Sequence, residues 1–425
     1  MIFDPSTGVS TDYPIREIFQ KFWDDYAQHH DVSRQQCRAA DCIRKCKTGL
    51  LGHTVSYCEK CGYEKIHYAS CNNRDCPSCQ QPLEKKWVME RESELIEGIA
   101  YYHVVFTVPY ELNDLIYENQ KLLYDLLFSC ASETLITLCR DKKYMGATPG
   151  IVSVLHSWGQ QLHLHPHLHI AISGGGLDRY GNFVETRHKG FIIPEGVIGK
   201  LFRGKYLDAL KKYYAAGRLH FTGKCQYLQN SYSWSEFIDT LYSKKWYPFV
   251  KETFNGNGNA MQYLARYAYR TAISNSRIES ITENDVTFRY TDYADGNKKK
   301  TKTVSGEEFI RLFLQHVLPN GFHRVRFSGY LANCQKAKNL KRIHHLRGSI
   351  YDGNPVKGKC MAELMMLFYQ IDICHCPACK HQLIQIRQKR PPLHKAYACV
   401  TWFKRKVLNP GLEDFFKLWI FEPWT

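Results

Sequence analysis

The protein has 425 residues and a formal net charge of +16, from 57 Lys and Arg against 41 Asp and Glu. Hydrophobic residues make up 44% and charged residues 23%, which excludes a wholly disordered chain and leaves room for roughly two to four domains. We see no apolar run near the roughly 18 residues of a membrane span and no secretory signal, so we expect a cytoplasmic, nucleoid-associated protein whose charge favours DNA.

Helical and strand-like patterns alternate along the chain. Because this alternation lacks regular βαβ units, we predict an α+β fold with a central antiparallel sheet flanked by helices. The glycines at 174–176 predict a tight turn that leads into a hairpin partner over 180–185. Helical patterns cover 14–47, 81–98, 110–140, 194–216 and 258–270, and strand patterns cover 101–108, 150–158, 166–173 and a hairpin over 285–303.

Eight of the 17 cysteines lie between Cys37 and Cys79. Without an export signal, this clustering indicates metal binding rather than disulfides. Two Cys-x-x-Cys pairs a short loop apart have the spacing of one tetrahedral, structural zinc site formed by Cys58, Cys61, Cys76 and Cys79. A second zinc could be bound by Cys46, His53 and Cys71, although buried free thiols explain these three residues equally well.

A C-terminal group, Cys374-His-Cys376-Pro-Ala-Cys379, repeats the Cys-x-x-Cys pattern. It has no obvious second pair nearby, so we interpret it from spacing alone as a candidate zinc knuckle.

The segment from 156 to 176 holds five of the 19 histidines, including His167-Leu168-His169. On a strand, residues i and i+2 face the same side, so both imidazoles could bind one metal ion. The third ligand is Gln160 by its spacing, with His163 or His165 as alternatives. An N,N,O ligand set with open positions favours Mg²⁺ or Mn²⁺. The alternative is that these are ordinary core or surface histidines.

Tyr263 and Tyr267 are spaced i, i+4 and share one face of the predicted 258–270 helix, with Arg266 and Arg270 beside them. On its own this pattern is equally typical of a packing stripe. Beside a metal site, a tyrosine hydroxyl could attack a phosphodiester, and the arginines could neutralise phosphate charge.

Together these motifs resemble one family. They are Cys-x-x-Cys-Gly followed by Ser-Cys-Asn-Asn-Arg-Asp-Cys-Pro-Ser-Cys, Tyr-His-Val-Val-Phe-Thr-Val-Pro, His156-Ser-Trp-Gly-Gln160, His165-Pro-His167-Leu-His169 and Tyr263-Leu-Ala-Arg-Tyr267. In this order, over roughly residues 35–335, they resemble the HUH-type rolling-circle transposases of insertion sequences, of the insertion sequence ninety-one type with two tyrosines.

The resemblance implies that His167 and His169 bind the catalytic metal and that Tyr263 and Tyr267 form a 5′-phosphotyrosine link and release a 3′ hydroxyl. It implies single-stranded or melted DNA at the ends of a mobile element as the substrate, and an N-terminal zinc-binding module. We therefore expect a zinc-binding domain over 1–98, an HUH-like catalytic domain over 99–300 and a basic C-terminal region over 301–425.

Residues 309–351 contain eight Lys and Arg and no Asp or Glu, which is typical of a segment that follows phosphates or of a solvated basic face. Two other functions stay open: a non-catalytic, zinc-dependent DNA-binding protein, and a metal-dependent hydrolase that uses activated water. The side chains expected to contact DNA are Arg266, Arg270, Arg324, Arg326, Lys341 and Arg342.

Overall fold

The structure is a computed structural model that describes residues 13–186, 193–254 and 267–388. Its helices are α1 (Pro14–His29), α2 (Arg34–Lys45), α3 (Gln81–Glu92), α4 (Asn113–Glu118), α5 (Gln120–Arg140), α6 (Glu195–Ala215), α7 (Ser231–Ser243), α8 (Gly306–Leu314), α9 (Lys336–Leu346) and α10 (Met361–Tyr369). Its strands are β1 (His53–Tyr57), β2 (Glu64–Tyr68), β3 (Tyr101–Thr107), β4 (Thr148–Trp158), β5 (Leu164–Leu177), β6 (Phe183–Glu185), β7 (Phe249–Phe254), β8 (Ile278–Ile281), β9 (Asp285–Asp292), β10 (Lys298–Ser305), β11 (Val325–Gly329) and β12 (Ile384–Gln388).

The chain forms two compact units, each assembled from segments that are distant in sequence. The first unit consists of Met1–Cys79, Ile273–Val317 and Ile373–Thr425, and the second of Gln80–Ala272 and Leu318–Asp372. The predicted division into three consecutive domains, 1–98, 99–300 and 301–425, stays a prediction, whereas each compact unit combines segments that are not consecutive in the chain. The reason is that the C-terminal strand β12 returns to pair with β1, which spacing along the chain does not reveal.

The first unit contains two three-stranded antiparallel sheets among its described residues, in the orders β12-β1-β2 and β10-β9-β8. The predicted helix over 14–47 is two helices, because the Ser33 hydroxyl caps α2 by accepting a hydrogen bond from the Gln36 backbone N–H at 3.3 Å. Helix α1 packs on α8, where the Phe19 and Phe313 rings meet edge to face with centroids 5.2 Å apart.

The second unit is built on a six-stranded antiparallel sheet in the order β11-β4-β5-β3-β7, with β6 paired to β5. On one face, Phe106, Leu168 and Ile170 are buried against α5 and α6. On the other face, Val152 and Val154 pack in a second core that includes Trp87 of α3 and Leu340 and Ile343 of α9. This arrangement confirms the predicted α+β fold with a central antiparallel sheet flanked by helices.

The glycines at 174–176 do not form the tight turn predicted from the sequence. Strand β5 continues through them to Leu177, and the turn follows at Asp178–Gly181. A Cβ at Gly176 would overlap the Thr148 backbone and one at Gly174 would lie 2.9 Å from the Ala100 carbonyl oxygen. These glycines therefore allow neighbouring backbone segments and the Phe183 ring to lie close to strand β5, and they do not reverse the chain.

Among the described residues, one helix, α5, is long and apolar enough to cross a membrane by length and composition. In the second unit, 56% of its apolar stretch is buried, and Leu123, Leu127 and Leu135 belong to the core on the α5 face of the sheet. This helix is therefore explained by packing against the sheet, as expected of a core helix.

The pairing of β11 with β4 requires a glycine at 329, so we expect Gly329→Ala to destabilise the second unit. The backbone of Gly329 has φ +64°, and an added Cβ would overlap the Pro149 carbonyl oxygen. We expect a loss of more than about 2 kcal/mol in the free energy of unfolding, measured by urea denaturation.

The matched control is Gly204→Ala, because Gly204 lies inside α6 with open space where the added methyl group would sit. It should leave stability unchanged or raise it by up to about 1 kcal/mol. Equal stability of the two variants would contradict the close β11–β4 approach.

Candidate functional site

Three histidines meet on one face of the six-stranded sheet. His156 on β4 lies directly across from His167 on β5, and His169 follows two residues later on the same side. One ring nitrogen from each of the three lies within 4.8 Å of the others, and the Nε2 atoms of His167 and His169 are 3.1 Å apart. The structure thus brings the predicted pair together and adds a third imidazole.

Burial keeps these imidazoles uncharged. It lowers the pKa of His167 to about 4, and it lowers the pKa values of His156 and His169 well below the ordinary range, with the neighbouring histidines adding to the effect. A neutral imidazole offers the lone pair that a metal ion needs. The cluster is therefore in a metal-binding protonation state at neutral pH.

Hydrogen bonds fix the orientation of each ring. The Nδ1–H of His167 donates to the His165 carbonyl oxygen at 2.7 Å, which leaves its Nε2 lone pair facing His169. The Nε2–H of His156 donates to the Tyr267 carbonyl oxygen at 2.7 Å, which leaves Nδ1 unprotonated. His103 of β3 lies behind the cluster, with its Nε2 3.0 Å from Nδ1 of His169. Such outer partners are typical of histidines that bind metals.

Tyr267 lies against this cluster. Its ring stacks on His169 with centroids 3.7 Å apart and an interplanar angle of 25°. The Arg324 guanidinium holds the backbone beside it by donating to the carbonyl oxygens of Ala268 and Arg270. The predicted partners Tyr263 and Arg266 lie outside the described residues.

Gln160 lies in the half-buried turn between β4 and β5. Its role as third metal ligand stays a prediction. His165 packs beside His167 with ring centroids 5.0 Å apart, whereas His163 is exposed and contacts Gln161 at 3.3 Å. The imidazole that joins His167 and His169 in the cluster is His156, which the spacing argument did not select.

The cysteines group differently from the single Cys58, Cys61, Cys76 and Cys79 site predicted from spacing. In the first unit, the sulfur atoms of Cys76 and Cys79 cluster with those of Cys46 and Cys71, while His53 is not part of the group. Cys58 and Cys61 cluster instead with Cys376 and Cys379 of the C-terminal segment. The physical reason is the pairing of β1 with β12, which places the two knuckles side by side.

The first group fits a structural zinc ion. The Sγ atoms of Cys71 and Cys79 are 3.7 Å apart, and thiolates at zinc-binding distance around a tetrahedral ion are separated by about 3.8 Å. The backbone N–H groups of Cys71 and Asn73 donate to the sulfurs of Cys46 and Cys71 at 3.5 and 3.4 Å. Such bonds stabilise thiolates.

Known proteins match both the region of the cysteine groups and the region of the histidine cluster. A family model described as "Transposase zinc-binding domain" matches residues 18–108, and one described as "Putative transposase" matches residues 150–338. The chain is 37% identical over 372 residues, 87% of its length and 93% of the relative's, to "Putative transposase y4qJ" of Sinorhizobium fredii (strain NBRC 101917 / NGR234). It is 25% identical over 385 residues, 88% of its length and 89% of the relative's, to "Transposase for insertion sequence element IS801" of Pseudomonas savastanoi pv. phaseolicola.

The chain belongs to the IS91-type transposases. This result confirms the resemblance drawn from the motifs, including the N-terminal zinc-binding module. A transposase of this family is a DNA-cleaving enzyme, so DNA is its partner and the zinc is structural. No solved structure matches the chain significantly.

Three of the five described side chains that we expected to contact DNA in this transposase have protein partners. The Arg326 guanidinium pairs with Asp125 and lies over the Phe128 ring at 4.2 Å. Arg342 donates to the Gly181 carbonyl oxygen at 2.7 Å, and Arg324 supports the backbone beside Tyr267. Arg270 and Lys341 are exposed.

The basic segment 309–351 is also neutralised in part by acidic residues that lie elsewhere in the sequence. Lys336 pairs with Glu94 at 2.7 Å, and Arg347 pairs with Glu185. Basic residues that are close together in the sequence therefore do not form one continuous basic surface. This finding weakens the interpretation that residues 309–351 follow the phosphates of DNA.

Sequence reasoning missed two histidines of the transposase's cluster. His156 could have been found by aligning the two predicted strands as a hairpin, which sets it opposite His167. His103 lies within the motif Tyr-His-Val-Val-Phe-Thr-Val-Pro on β3, the neighbour of β5, but a single histidine in an apolar strand did not indicate a role in the site.

The lowered pKa of His167 predicts a dependence of stability on pH. The native imidazole stays neutral down to about pH 4, whereas the unfolded one protonates near pH 6.5, so the protein loses stability as pH falls between these values. We expect His167→Asn to lose less free energy of unfolding over this interval, by roughly 1–3 kcal/mol.

Urea denaturation at several pH values without added divalent metal would measure this difference. Zinc loss from the cysteine groups affects both proteins and cancels in the comparison. The control is His345→Asn, which replaces an exposed imidazole and should follow the wild-type curve. Parallel curves for wild type and His167→Asn would contradict a buried, neutral His167.

Proposed function

We propose that this transposase nicks and rejoins single-stranded DNA at the ends of a mobile element through a 5′-phosphotyrosine intermediate. The observation that carries the proposal is the stacking of Tyr267 on His169 at 3.7 Å. It places a predicted nucleophile beside a cluster suited to a divalent cation, as the rolling-circle, HUH-type chemistry implied by the motifs requires.

His167, His169 and His156 fit Mg²⁺ or Mn²⁺ by the direction and protonation state of their ring nitrogens. Gln160, in the adjoining turn, is the alternative third ligand. When bound, the ion would polarise the scissile phosphate and stabilise charge on the leaving oxygen. Imidazole ligands also suit Mn²⁺ better than Mg²⁺.

The protein's own groups account for the rest of the reaction. The phenol oxygen of Tyr267 or Tyr263 forms a bond to phosphorus while the bond to the 3′ oxygen breaks, so one phosphodiester replaces another and the strand leaves with a 3′ hydroxyl. Attack by a 3′ hydroxyl on the phosphotyrosine reverses the exchange and rejoins DNA. Two tyrosines would allow two ends to be held in succession.

Arginines support this step in two ways. Arg270 is exposed at the end of the tyrosine segment and is available to phosphate oxygens. Arg324 bonds the carbonyl oxygens of Ala268 and Arg270 and so positions the segment that carries Tyr267. We place the reaction in the cytoplasm, where nucleoid DNA is the substrate.

Removing both phenol oxygens should abolish covalent attachment to DNA. We expect Tyr263→Phe with Tyr267→Phe to reduce the adduct at least about a hundredfold, because no nucleophile remains. The assay is incubation with labelled single-stranded DNA from an element end and Mn²⁺, followed by a denaturing gel.

The control is Tyr269→Phe, since Tyr269 lies near Trp87, with ring centroids 6.3 Å apart, and should keep wild-type activity. Adduct formation by the double variant would contradict the nucleophile assignment. Cleavage by the wild type with a free 5′ phosphate and no adduct would instead support a hydrolase that uses activated water.

Loss of a metal ligand should separate cleavage from binding. We expect His167→Ala to lose nicking while its affinity for single-stranded DNA changes less than about threefold, because the imidazole binds the cation and not the strand. Mn²⁺ affinity measured by calorimetry should fall with nicking. Unchanged cleavage would refute the metal role, and a protein that binds DNA but never cleaves it would support the non-catalytic alternative.

The calorimetric measurement of Mn²⁺ affinity can also identify the third metal ligand. We expect His156→Ala to weaken Mn²⁺ binding at least about tenfold and Gln160→Ala to have a smaller effect. The opposite order would assign the ligand to Gln160.

A further inference from the structure

Two Cys-x-x-Cys turns from opposite ends of the chain have the same backbone geometry. In the turn after β1, the Gly62 N–H donates to the Cys58 carbonyl oxygen at 2.9 Å, and the Cys58 N–H donates to the Tyr63 carbonyl oxygen at 2.9 Å. In the turn before β12, the Lys380 N–H donates to the Cys376 carbonyl oxygen at 2.9 Å, and the Cys376 N–H donates to the His381 carbonyl oxygen at 2.7 Å.

The residue after the second cysteine is left-handed in both turns, with φ +70° at Gly62 and φ +61° at Lys380. Lysine adopts this conformation at an energetic cost, so a specific local demand must hold it there. The requirement that both sulfur atoms of a turn point at one position explains the left-handed residue. Both turns satisfy this requirement with the same backbone conformation.

The four sulfur atoms of these turns converge. Sγ of Cys58 is 3.4 Å from Sγ of Cys379, and Sγ of Cys61 is 3.5 Å from Sγ of Cys376. All four lie within 4.8 Å of one another. Cys58 and Cys376 are fully buried, whereas Cys61 is exposed. Four thiols this close together supply the four ligands that a closed structural zinc site needs.

The strands beside the turns hold the same two segments together. β12 pairs antiparallel with β1 from His53↔Gln388 to Tyr57↔Ile384, so each strand connects to its knuckle at the same end of the sheet. The Leu383 N–H also donates to the Cys374 carbonyl oxygen at 2.8 Å, which closes the C-terminal turn on itself. The sulfur cluster is thus supported by backbone pairing on both sides.

We propose that Cys58, Cys61, Cys376 and Cys379 bind a second structural zinc ion, separate from the one at Cys46, Cys71, Cys76 and Cys79. Neither family model extends to the C-terminal pair, because the matched regions end at 108 and 338. On binding, the four thiols release their protons to solvent and become thiolates around Zn²⁺. The ion clamps the C-terminal segment 373–388 to the N-terminal zinc-binding region across more than 300 intervening residues, since the paired sulfurs are 321 and 315 positions apart.

The experiment is zinc counting on the full chain. Native mass spectrometry and elemental analysis should find two zinc ions per wild-type chain and one in Cys376→Ser with Cys379→Ser. Cys379→His keeps a zinc ligand and should retain two ions. The matched control is Cys334→Ser, an exposed cysteine of the second unit, which should also retain two.

A second readout does not depend on how well the variants fold. In the wild type, alkylation followed by peptide mapping should leave Cys58, Cys61, Cys376 and Cys379 protected until a chelator is added. The C-terminal segment should become more sensitive to protease at the same time. One zinc per wild-type chain, with these four thiols alkylated before chelation or found as disulfides, would overturn the proposal.

The DNA-nicking proposal is independent of this result. The clamp lies in the first unit, whereas His156, His167, His169 and Tyr267 lie in the second. An experiment that contradicts one proposal therefore leaves the other proposal unaffected.

Discussion

The histidine cluster depends on the two faces of strand β5. Leu168 and Ile170 are wholly buried against helices on one face, and this burial forces His167 and His169 to the other. Because side chains alternate along a strand, a shift of one residue in the register would exchange the two sets, placing the apolar residues in the site and the imidazoles against α5 and α6. The hydrophobic core therefore positions the polar site.

Burial also gives the cluster its chemical character. Imidazoles close together and removed from water do not take up a second proton, so each ring keeps one N–H and one lone pair and the histidines themselves carry no charge. Arg270 and Arg324 are close enough to add to the lowering of these pKa values, so positive charge also favours the neutral imidazoles. The aromatic ring of Tyr267 closes one side of the cluster, and its backbone carbonyl oxygen orients His156, so the segment that carries Tyr267 and the histidine cluster are coupled through direct contacts.

The charged residues also show that neighbours in the sequence and neighbours in the folded protein are different sets of residues. Arg326 and Arg347 stand in a segment without acidic residues, yet they pair with Asp125 and Glu185 from elsewhere in the fold. The net charge of +16 indicates a polyanion as partner, but only the folded surface decides which cations are available to it.

The sequence by itself determined the family through the order of its motifs and the α+β class through the alternation of helical and strand patterns. It also determined the histidine pair and the use of cysteine for zinc, because these follow from local spacing: i, i+2 on a strand and Cys-x-x-Cys in a turn. The alignment of the neighbouring strands β4 and β5 adds His156 to the site. Tertiary structure alone decided which cysteine pairs cluster and that His103 lies beside His169. These last two outcomes arise from strand pairing between segments that are distant in sequence. A ligand set is completed by whichever segment folding brings within a few ångströms, and local spacing carries no information about that distance.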